Sequence, residues 1–270
     1  MNPNTTGPSA FSNAIIINHA ELVVFDLDGT LAPSKSPIES KMSVLLAKLL
    51  AKKKVAVISG GTYEQMKKQL LSHLPAFGVI DLTKLFLFPT SGTSMYSFEK
   101  SVDGPIGQWV ESYANRLTMG EKETIMTALY AALHEAGYSE PTQKFGKIIE
   151  DRGTQITFSA LGQEAPLELK LAWDPDHAKR KRIVDLLNPR IPGFEARMGG
   201  STSVDITRAG RSKAYGITEM SHRLKIPISQ MIFLGDELIA GGNDESVKAT
   251  GIVTISVKDP ADTARILELT

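Results

Sequence analysis

The most constraining feature of this 270-residue chain is an apolar run that ends in two carboxylates. Residues 22–31 read Leu-Val-Val-Phe-Asp-Leu-Asp-Gly-Thr-Leu. Continuous Val, Leu and Phe predict a strand buried on both faces, as in the parallel sheet of an α/β protein. Asp26 and Asp28 would then lie at the carboxyl end of that strand, where open α/β sheets bind their ligands. Gly29 permits a sharp turn away from the sheet.

Strand and helix patterns alternate on both sides of a different middle region. Short apolar runs predict strands at 55–58, 85–88, 231–234 and 252–257, and helical spacing covers 38–51, 63–71 and about 121–136. Within the middle region, the alternating segments 154–159 and 168–172 predict half-exposed antiparallel strands. We therefore predict an α/β fold with a Rossmann-like, doubly wound core formed by residues 1–93 and 208–270. An α+β domain, residues 94–207, interrupts it.

Polar residues follow three of the predicted core strands. Asp26 and Asp28 follow the first, Ser59 follows the second, and Asp236 follows a later one, with Lys213 on a helical stretch just before it. The carboxyl ends of parallel strands meet at one edge of a sheet, so these groups should converge. Converging carboxylates repel each other unless a cation neutralises them. An oxygen-only ligand set favours Mg²⁺ over zinc, and a hydroxyl with an ammonium suits a phosphoryl oxygen.

Composition argues against several classes of protein. Thirty basic and thirty acidic residues cancel, so the charge indicates neither a nucleic-acid partner nor an anionic membrane surface. There is no apolar run near the ~20 residues that a bilayer span needs. Cysteine is absent, which excludes disulfides and thiolate catalysis and fits a cytoplasmic protein. Residues 1–13 are expected to form a polar tail rather than a secretory signal, and the basic run 179–182 a solvated helix face.

The order and spacing of these motifs resemble the haloacid dehalogenase superfamily of Mg²⁺-dependent phosphotransferases. The resemblance implies that Asp26 is the nucleophile that takes the phosphoryl group and that Asp28 is the general acid and base. It assigns phosphate binding to Ser59, Gly60 and Lys213, and the Mg²⁺ site to Asp26, the backbone carbonyl of Asp28, Asp236 and Asp244. The large insertion after Ser59 resembles members with a C2-type (type IIB) cap.

Within that superfamily the chain resembles the eukaryotic-type phosphomannomutases along most of its length. The segments that carry the resemblance are 24–33, 149–153, 199–205 and 233–244. The resemblance implies that Arg152, Ser203 and Asp205 bind the distal part of a sugar phosphate, and that two chains pair through their caps. Lys170 and Gln163 stand where the family pattern has arginine. Lysine keeps the charge as a point rather than a fork, whereas glutamine supplies none.

Two activities follow from this pattern. The first expectation is a Mg²⁺-dependent phosphatase that acts on a small phosphorylated metabolite, such as a sugar phosphate, through an aspartyl-phosphate. The alternative is a phosphomannomutase-like hexose phosphate mutase, which interconverts 6- and 1-phosphates through a sugar bisphosphate. Both use Asp26 and Asp28, so they differ in how well the cap holds a second phosphate. A non-enzymatic role would be favoured by loss of Asp26 or Asp28, and both are present.

Overall fold

The computed structural model of the chain describes residues 9–75, 80–101 and 107–270. The chain divides into two compact units. The core unit comprises Met1–Tyr113 and Ser212–Thr270, and the inserted unit comprises Ala114–Arg211. Among the helices in the described ranges, none has the length and apolar character needed to cross a bilayer.

Helices and strands alternate along the described chain. Their bounds are α1 (Ala10–His19), β1 (Leu22–Asp26), α2 (Ser40–Lys52), β2 (Lys54–Ile58), α3 (Tyr63–Gln69), β3 (Leu85–Phe88), β4 (Ser94–Glu99), β5 (Gln108–Ala114), α4 (Met119–Glu135), β6 (Ile149–Asp151), β7 (Ile156–Ser159), α5 (Leu167–Trp173), α6 (Ala178–Leu187), β8 (Phe194–Met198), β9 (Ser203–Arg208), α7 (Lys213–Leu224), β10 (Met231–Gly235), β11 (Val253–Ser256) and α8 (Pro260–Leu267).

The core unit is built on a seven-stranded sheet in the order β11-β10-β1-β2-β3-β4-β5. The first five strands in that order are parallel. Successive side chains of β1 enter different apolar clusters, with Val23 and Phe25 in one and Leu22 and Val24 in the other. Both faces of the strand are therefore buried, which is why its sequence is apolar without alternation. The α/β, doubly wound fold predicted from the sequence is confirmed.

The boundaries of the insertion differ from those predicted. Residues 94–113, which we assigned to the inserted domain, add β4 and most of β5 to the edge of the core sheet. β4 runs antiparallel to β3. Antiparallel strands show the same alternation of apolar and polar residues whichever sheet they join. The sequence pattern alone therefore placed the domain boundary too early. The chain returns to the core unit at Ser212 rather than at residue 208.

The polar tail predicted for residues 1–13 lies only partly within the described structure. Residues 10–13, predicted as part of a polar tail, begin helix α1 instead. Ser9 caps this helix through its side-chain oxygen, which accepts from the backbone N–H of Ser12. Ile17 on the same helix is fully buried in the core unit, which explains why the helix forms where it does. Residues 1–8 lie outside the described part of the chain.

The inserted unit consists of a four-stranded antiparallel sheet, in the order β6-β7-β9-β8, with helices on one face. One face of this sheet is apolar. Phe158 of β7 and Val204 of β9 lie opposite each other there and pack with Leu129 of α4 and Ile183 of α6. The antiparallel strand predicted within 154–159 is confirmed for 156–159, and its other face carries polar side chains. The half-exposure predicted for it is wrong, because every residue of β7 is buried.

One predicted strand of the inserted unit is wrong. Residues 168–172 belong to helix α5, which follows Pro166. Its leucines, Leu167 and Leu171 among them, are about half exposed, whereas Lys170 is the buried residue of the helix. In a segment this short, alternating apolar and polar residues are compatible with a strand and also with a two-turn helix that has one exposed and one buried side. The sequence therefore could not distinguish them.

The basic run 179–182 was predicted to be a solvated face, and this is wrong for Arg180. Its side chain is buried, and its Nε donates to Asp174 Oδ2 at 2.7 Å. Its Nη1 donates to the carbonyls of Gly199, at 3.2 Å, and Gly200. The charge of Arg180 helps hold the pKa of Asp174 below its usual value, against the effect of burial. The ion pair joins α6 to the residue that ends α5, and the two carbonyl contacts of Arg180 tie α6 to the turn between β8 and β9.

Breaking this pair should destabilise the protein. Arg180→Met is expected to lower the free energy of unfolding by about 3–5 kcal/mol, because Asp174 is left as a buried charge without its counter-ion. Urea unfolding followed by circular dichroism measures the change. The matched control is Arg182→Met in the same run, where the side chain is exposed and the expected change is within about 0.5 kcal/mol. Equal losses in the two variants would contradict the interpretation.

Candidate active site

Asp26, the proposed nucleophile, is the last residue of β1 and is buried, with 3% of its surface exposed. Its Oδ1 accepts a hydrogen bond from Lys213 Nζ at 2.5 Å. Burial raises the pKa of Asp26 well above its usual value, and the negative charges of Asp244 and Asp236 add to the rise, which Lys213 offsets only in part. The carboxylate therefore lies in a site that is short of positive charge.

Lys213 is the first residue of α7 and is as deeply buried as Asp26. Besides Asp26, its Nζ donates to Asp244 Oδ1 at 2.5 Å and to Asn243 Oδ1 at 2.6 Å. Burial alone would lower the pKa of Lys213, but the charges of Asp244 and Asp26 raise it. The ammonium therefore stays charged. Close packing of α7 places it here, because a Cβ on Gly216 would lie only 2.5 Å from Ile58 Cδ1.

Three carboxylates meet around this ammonium. Asp26, Asp236 and Asp244 each place one carboxylate oxygen within 4.8 Å of the others. Asp236 follows directly on β10, so two neighbouring strands, β1 and β10, supply two of the groups. Burial and the negative charge of Asp244 raise the pKa of Asp236 to about 6. With three acids and one lysine, the cluster has more negative than positive charge.

The turn after β1 fits closely around Asp236. Thr30 is fully buried, and its Oγ1 donates to Asp236 Oδ1 at 3.0 Å. Gly29 has a φ of +88°, and a Cβ at this position would lie 2.2 Å from Asp236 Oδ2. Glycine is required here both for the left-handed backbone and for the close approach of the carboxylate. The turn predicted from Asp-Gly-Thr therefore also orients Asp236.

Asp28 occupies a different environment from the three clustered carboxylates. Its Oδ1 accepts from the Lys35 backbone N–H at 2.6 Å and from Gln69 Nε2 at 3.0 Å, and its Oδ2 pairs with Lys35 Nζ at 2.8 Å. Burial would raise the pKa of Asp28, but these contacts outweigh it and lower that pKa. The side chain is thus held as a carboxylate, separate from the three acids.

Ser59 follows β2, the strand beside β1. Asp26 pairs with Ile58 in the parallel register, so Ser59 comes one residue beyond the position opposite Asp26. Ser59 is buried, and its Oγ accepts from the Gly61 backbone N–H at 3.0 Å. Gly60 lies in the same turn, which leads into α3. The turn thus lies at the same sheet edge as Asp26.

Two substrate-binding candidates lie on the polar face of β9 in the inserted unit. Ser203 Oγ is 3.0 Å from Ser159 Oγ, and Asp205 Oδ1 accepts from Thr157 Oγ1 at 2.8 Å. Thr157 and Ser159 belong to β7, the neighbouring strand, and both are buried. These four side chains therefore form an ordered set of three hydroxyls and one carboxylate on the polar face.

The other two candidates of the inserted unit already have protein partners. Arg152 Nη2 pairs with Glu150 Oε2 at 2.7 Å, with 4% of the arginine side chain exposed. Lys170 Nζ donates to the Gln163 carbonyl at 2.7 Å. The amide of Gln163 in turn donates to Ser159 Oγ. Within this unit, Gln163 therefore connects Lys170 to the hydroxyls of the polar face.

Comparison with known proteins settles the family. A model described as eukaryotic phosphomannomutase matches residues 42–270, which is most of both units. The chain belongs to the eukaryotic phosphomannomutase family. It is 27% identical to a phosphomannomutase of Saccharomyces cerevisiae over 252 residues, covering 91% of this chain and 92% of that protein. It is 26% identical to phosphomannomutase 2 of Dictyostelium discoideum, covering 93% and 96% of the two chains.

Solved structures similar to this family member show the same fold. An N-terminally truncated IMP-nucleotidase of Plasmodium falciparum matches with a TM-score of 0.66 at 17% identity, over 96% of this chain and 73% of that one. A trehalose-6-phosphate phosphatase of Aspergillus fumigatus matches with a TM-score of 0.56 at 15% identity, over 98% of each. These similarities show the fold, and membership of the phosphomannomutase family makes the chain an enzyme of the haloacid dehalogenase type.

Three contacting residues in this phosphomannomutase-family chain were not among the sequence candidates. Asn243 binds Lys213, and Lys35 and Gln69 bind Asp28. Asn243 directly precedes Asp244 in the Gly-Gly-Asn-Asp segment, so its position in the sequence could have indicated a role in the site. No sequence motif indicates Gln69, because its contact with Asp28 depends on how α3 packs against the turn after β1.

The acidic cluster of this family member fits a magnesium ion. Asp26, Asp236 and Asp244 offer only oxygen ligands, which hard divalent cations prefer, and Mg²⁺ commonly binds one or two carboxylates while retaining waters. Three carboxylates against the one ammonium of Lys213 leave the cluster short of positive charge. Burial raises the pKa values of Asp26 and Asp236, and the negative charge of Asp244 adds to the rise. A divalent cation would supply the missing positive charge.

Proposed function

We propose that the chain is a Mg²⁺-dependent hexose phosphate mutase that interconverts 6- and 1-phosphates through a sugar bisphosphate. The observation that carries the proposal is the phosphomannomutase family match, which extends over the whole inserted unit as well as most of the core. Asp26, Asp28 and Lys213, the residues that the chemistry needs in the core unit, are all present. This favours the mutase over the phosphatase that the sequence alone led us to expect.

In the first half of the proposed reaction, the Asp26 carboxylate attacks phosphorus. In the sugar bisphosphate, a bond forms between an Asp26 oxygen and one phosphorus, and the bond from that phosphorus to the sugar oxygen breaks. Asp28, which still holds the proton that it took in the preceding transfer, gives that proton to the sugar oxygen, and a hexose monophosphate forms. Lys213 and the Ser59 turn hold the phosphoryl oxygens. Bound Mg²⁺ would offset the negative charge that gathers on those oxygens.

In the second half, Asp28 acts as a base. Its carboxylate takes the proton of the free hydroxyl of a bound hexose monophosphate while that oxygen attacks the phosphorus on Asp26. The sugar bisphosphate forms again, and Asp28 holds the proton for the next transfer. The bond between Asp26 and phosphorus breaks, and the Asp26 carboxylate is restored. The lowered pKa of Asp28 supports this step, because a carboxylate that is ionised at neutral pH is ready to accept a proton.

A second candidate function is a sugar phosphate phosphatase, in which water replaces the second hydroxyl. The observation that favours it is the neutral amide at Gln163, which donates to Ser159 and brings no charge to the polar face. A hexose monophosphate held weakly by its distal phosphate would leave before its free hydroxyl could attack the phosphorus on Asp26. Water would then attack that phosphorus, the bond between Asp26 and phosphorus would break, and inorganic phosphate would form.

A product assay separates the two functions. Mannose 1-phosphate and glucose 1-phosphate are each incubated with Mg²⁺, with and without the matching 1,6-bisphosphate, and products are followed by phosphorus NMR. We expect the 6-phosphate to form and to depend on the bisphosphate. Inorganic phosphate as the main product would make the chain a phosphatase.

Residue 163 offers a sharper version of the same assay. Gln163→Arg should raise the ratio of mutase to hydrolase, by about tenfold or less if the guanidinium gains one charge-assisted hydrogen bond of roughly 1.5 kcal/mol to the distal phosphate. Gln163→Met is the matched control, since it removes the amide without adding charge. If both variants change the ratio equally, the charge at this position does not decide between the activities.

A further inference from the structure

The Asp28 carboxylate is held by two residues of unlike character. Lys35 has a third of its side chain exposed, and its φ is +56°. Gln69 is buried, with 6% of its surface exposed. A solvated lysine side chain can move away at little cost, whereas a buried amide is fixed by its surroundings. The two contacts are therefore not equivalent.

Gln69 is held through its side-chain Nε2 and its backbone carbonyl. Its Nε2 group has two N–H donors, and its two acceptors are Asp28 Oδ1, at 3.0 Å, and the Ser36 carbonyl, at 3.1 Å. Its backbone carbonyl accepts from the Ile38 N–H at 2.8 Å. The residue thus joins α3 to the segment that follows the β1 turn, and its side-chain amide has one orientation that satisfies both acceptors.

The contact between Gln69 and Asp28 lies at one end of helix α3, and the Ser59 turn lies at the other. The helix begins directly after the Ser59 turn, where Thr62 and Gln65 form a reciprocal capping box. It ends at Gln69, on Asp28. One short helix therefore connects the turn proposed to hold the phosphoryl group with the carboxylate proposed to exchange the proton.

We propose that Gln69 is a positioning residue that fixes the proton-exchanging carboxylate of Asp28, and that Oδ2 is the oxygen that exchanges the proton. Oδ1 is occupied by two well-placed donors, the Lys35 backbone N–H at 2.6 Å and the Gln69 amide. Oδ2 is bound by the Lys35 ammonium alone among the described contacts. Release of that ammonium frees Oδ2 while Oδ1 stays fixed. This inference rests on the acid–base role given to Asp28 in the proposed function.

The test compares two phosphate esters in the full-length protein. Gln69→Met keeps the length of the side chain but donates no hydrogen bond. We expect its kcat/KM to fall about tenfold for a hexose phosphate, whose leaving oxygen needs a proton, since misplacing a catalytic group by about 1 Å can cost up to 10²-fold. For an aryl phosphate with a good leaving group, the expected loss is about twofold or less.

Two further variants make the result specific. Gln65→Met removes an amide from the same helix that contacts Thr62 rather than Asp28, so any loss should be equal for the two esters. Asp28→Asn combined with Gln69→Met should be no slower than Asp28→Asn alone, because Gln69 acts through Asp28. Gln69→Glu serves if the methionine variant does not fold, because its carboxylate cannot donate to Asp28 either.

The outcomes are distinct. Equal losses for both esters in the Gln69 variants, no loss for either, or additive losses in the double variant would overturn the positioning role. A wild-type protein that turns over neither ester would instead count against the proposed function. If the wild type is active and the Gln69 variants have the same kcat/KM as the wild type for both esters, this inference alone is contradicted.

Discussion

Asp26→Asn is expected to reduce the turnover of every phosphate ester to below about one per cent of the wild-type rate, because an amide does not replace a carboxylate as nucleophile. Asp26 lies at the end of β1 with its Oδ1 2.5 Å from Lys213 Nζ. The expected loss is the same for good and poor leaving groups, since both must pass through phosphorylated Asp26. Steady-state rates with an aryl phosphate and a hexose phosphate measure it.

The fold should survive this substitution. Lys213 would face a neutral amide oxygen in place of one carboxylate but keep Asp244 and Asn243, and the repulsion between Asp26 and Asp244 would disappear. A thermal unfolding curve that stays cooperative is the control. Rapid quenching followed by mass spectrometry of peptides should find a phosphoryl group on Asp26 in the wild type and none in the variant. Residual turnover above about one per cent would assign the nucleophile elsewhere.

The convergence of the core site was readable from the sequence because it follows from one rule. Apolar strands without alternation must be central and parallel, and the carboxyl ends of parallel strands share an edge. That rule brings together the residues after β1, β2 and β10, and the structure places Asp26, Asp236 and Asp244 in one cluster. The position of Lys213 does not follow from this rule. It depends on the close packing of α7, which Gly216 permits.

Asp28 shows the limit of that rule. It belongs to the same sequence motif as Asp26 but lies beyond the end of β1, in a turn whose course is set by local hydrogen bonds. Its partners, Lys35 and Gln69, come from that turn and from a helix packed beside it. Sequence spacing predicts where a strand ends, but it does not predict which side chains meet a turn that follows.

The inserted unit was harder to predict for a related reason. Its strands alternate apolar and polar residues, so each strand has one polar face. A polar residue that binds a ligand and one that binds a neighbouring side chain give the same sequence pattern on such a face. Arg152 lies beside Glu150, and the buried Arg180 could not be distinguished from its exposed neighbours in a basic run. Only the packing of α6 against the turn after β8 decides which arginine is buried.

Removal of divalent cations is expected to abolish activity, and Mg²⁺ should restore it. Asp26, Asp236 and Asp244 together repel an incoming phosphate dianion, and one ammonium does not balance them. Binding also gives a readout that does not depend on turnover. A ligand that binds only the folded state raises its stability, by about 2.7 kcal/mol at a concentration 100 times its dissociation constant. Thermal unfolding of EDTA-treated protein, with and without Mg²⁺, measures this shift.

The shift should depend on pH in a known direction. The pKa of Asp236 is raised to about 6 without a cation, so below that pH Mg²⁺ must displace a proton to bind, and its stabilising effect should shrink as the pH falls. Asp236→Asn should lose most of the shift at neutral pH. Asp185→Asn, the same change at an exposed position in the inserted unit, should keep it. Full activity in metal-free protein, or an equal Mg²⁺ shift in both variants, would show that the carboxylate cluster does not hold the ion.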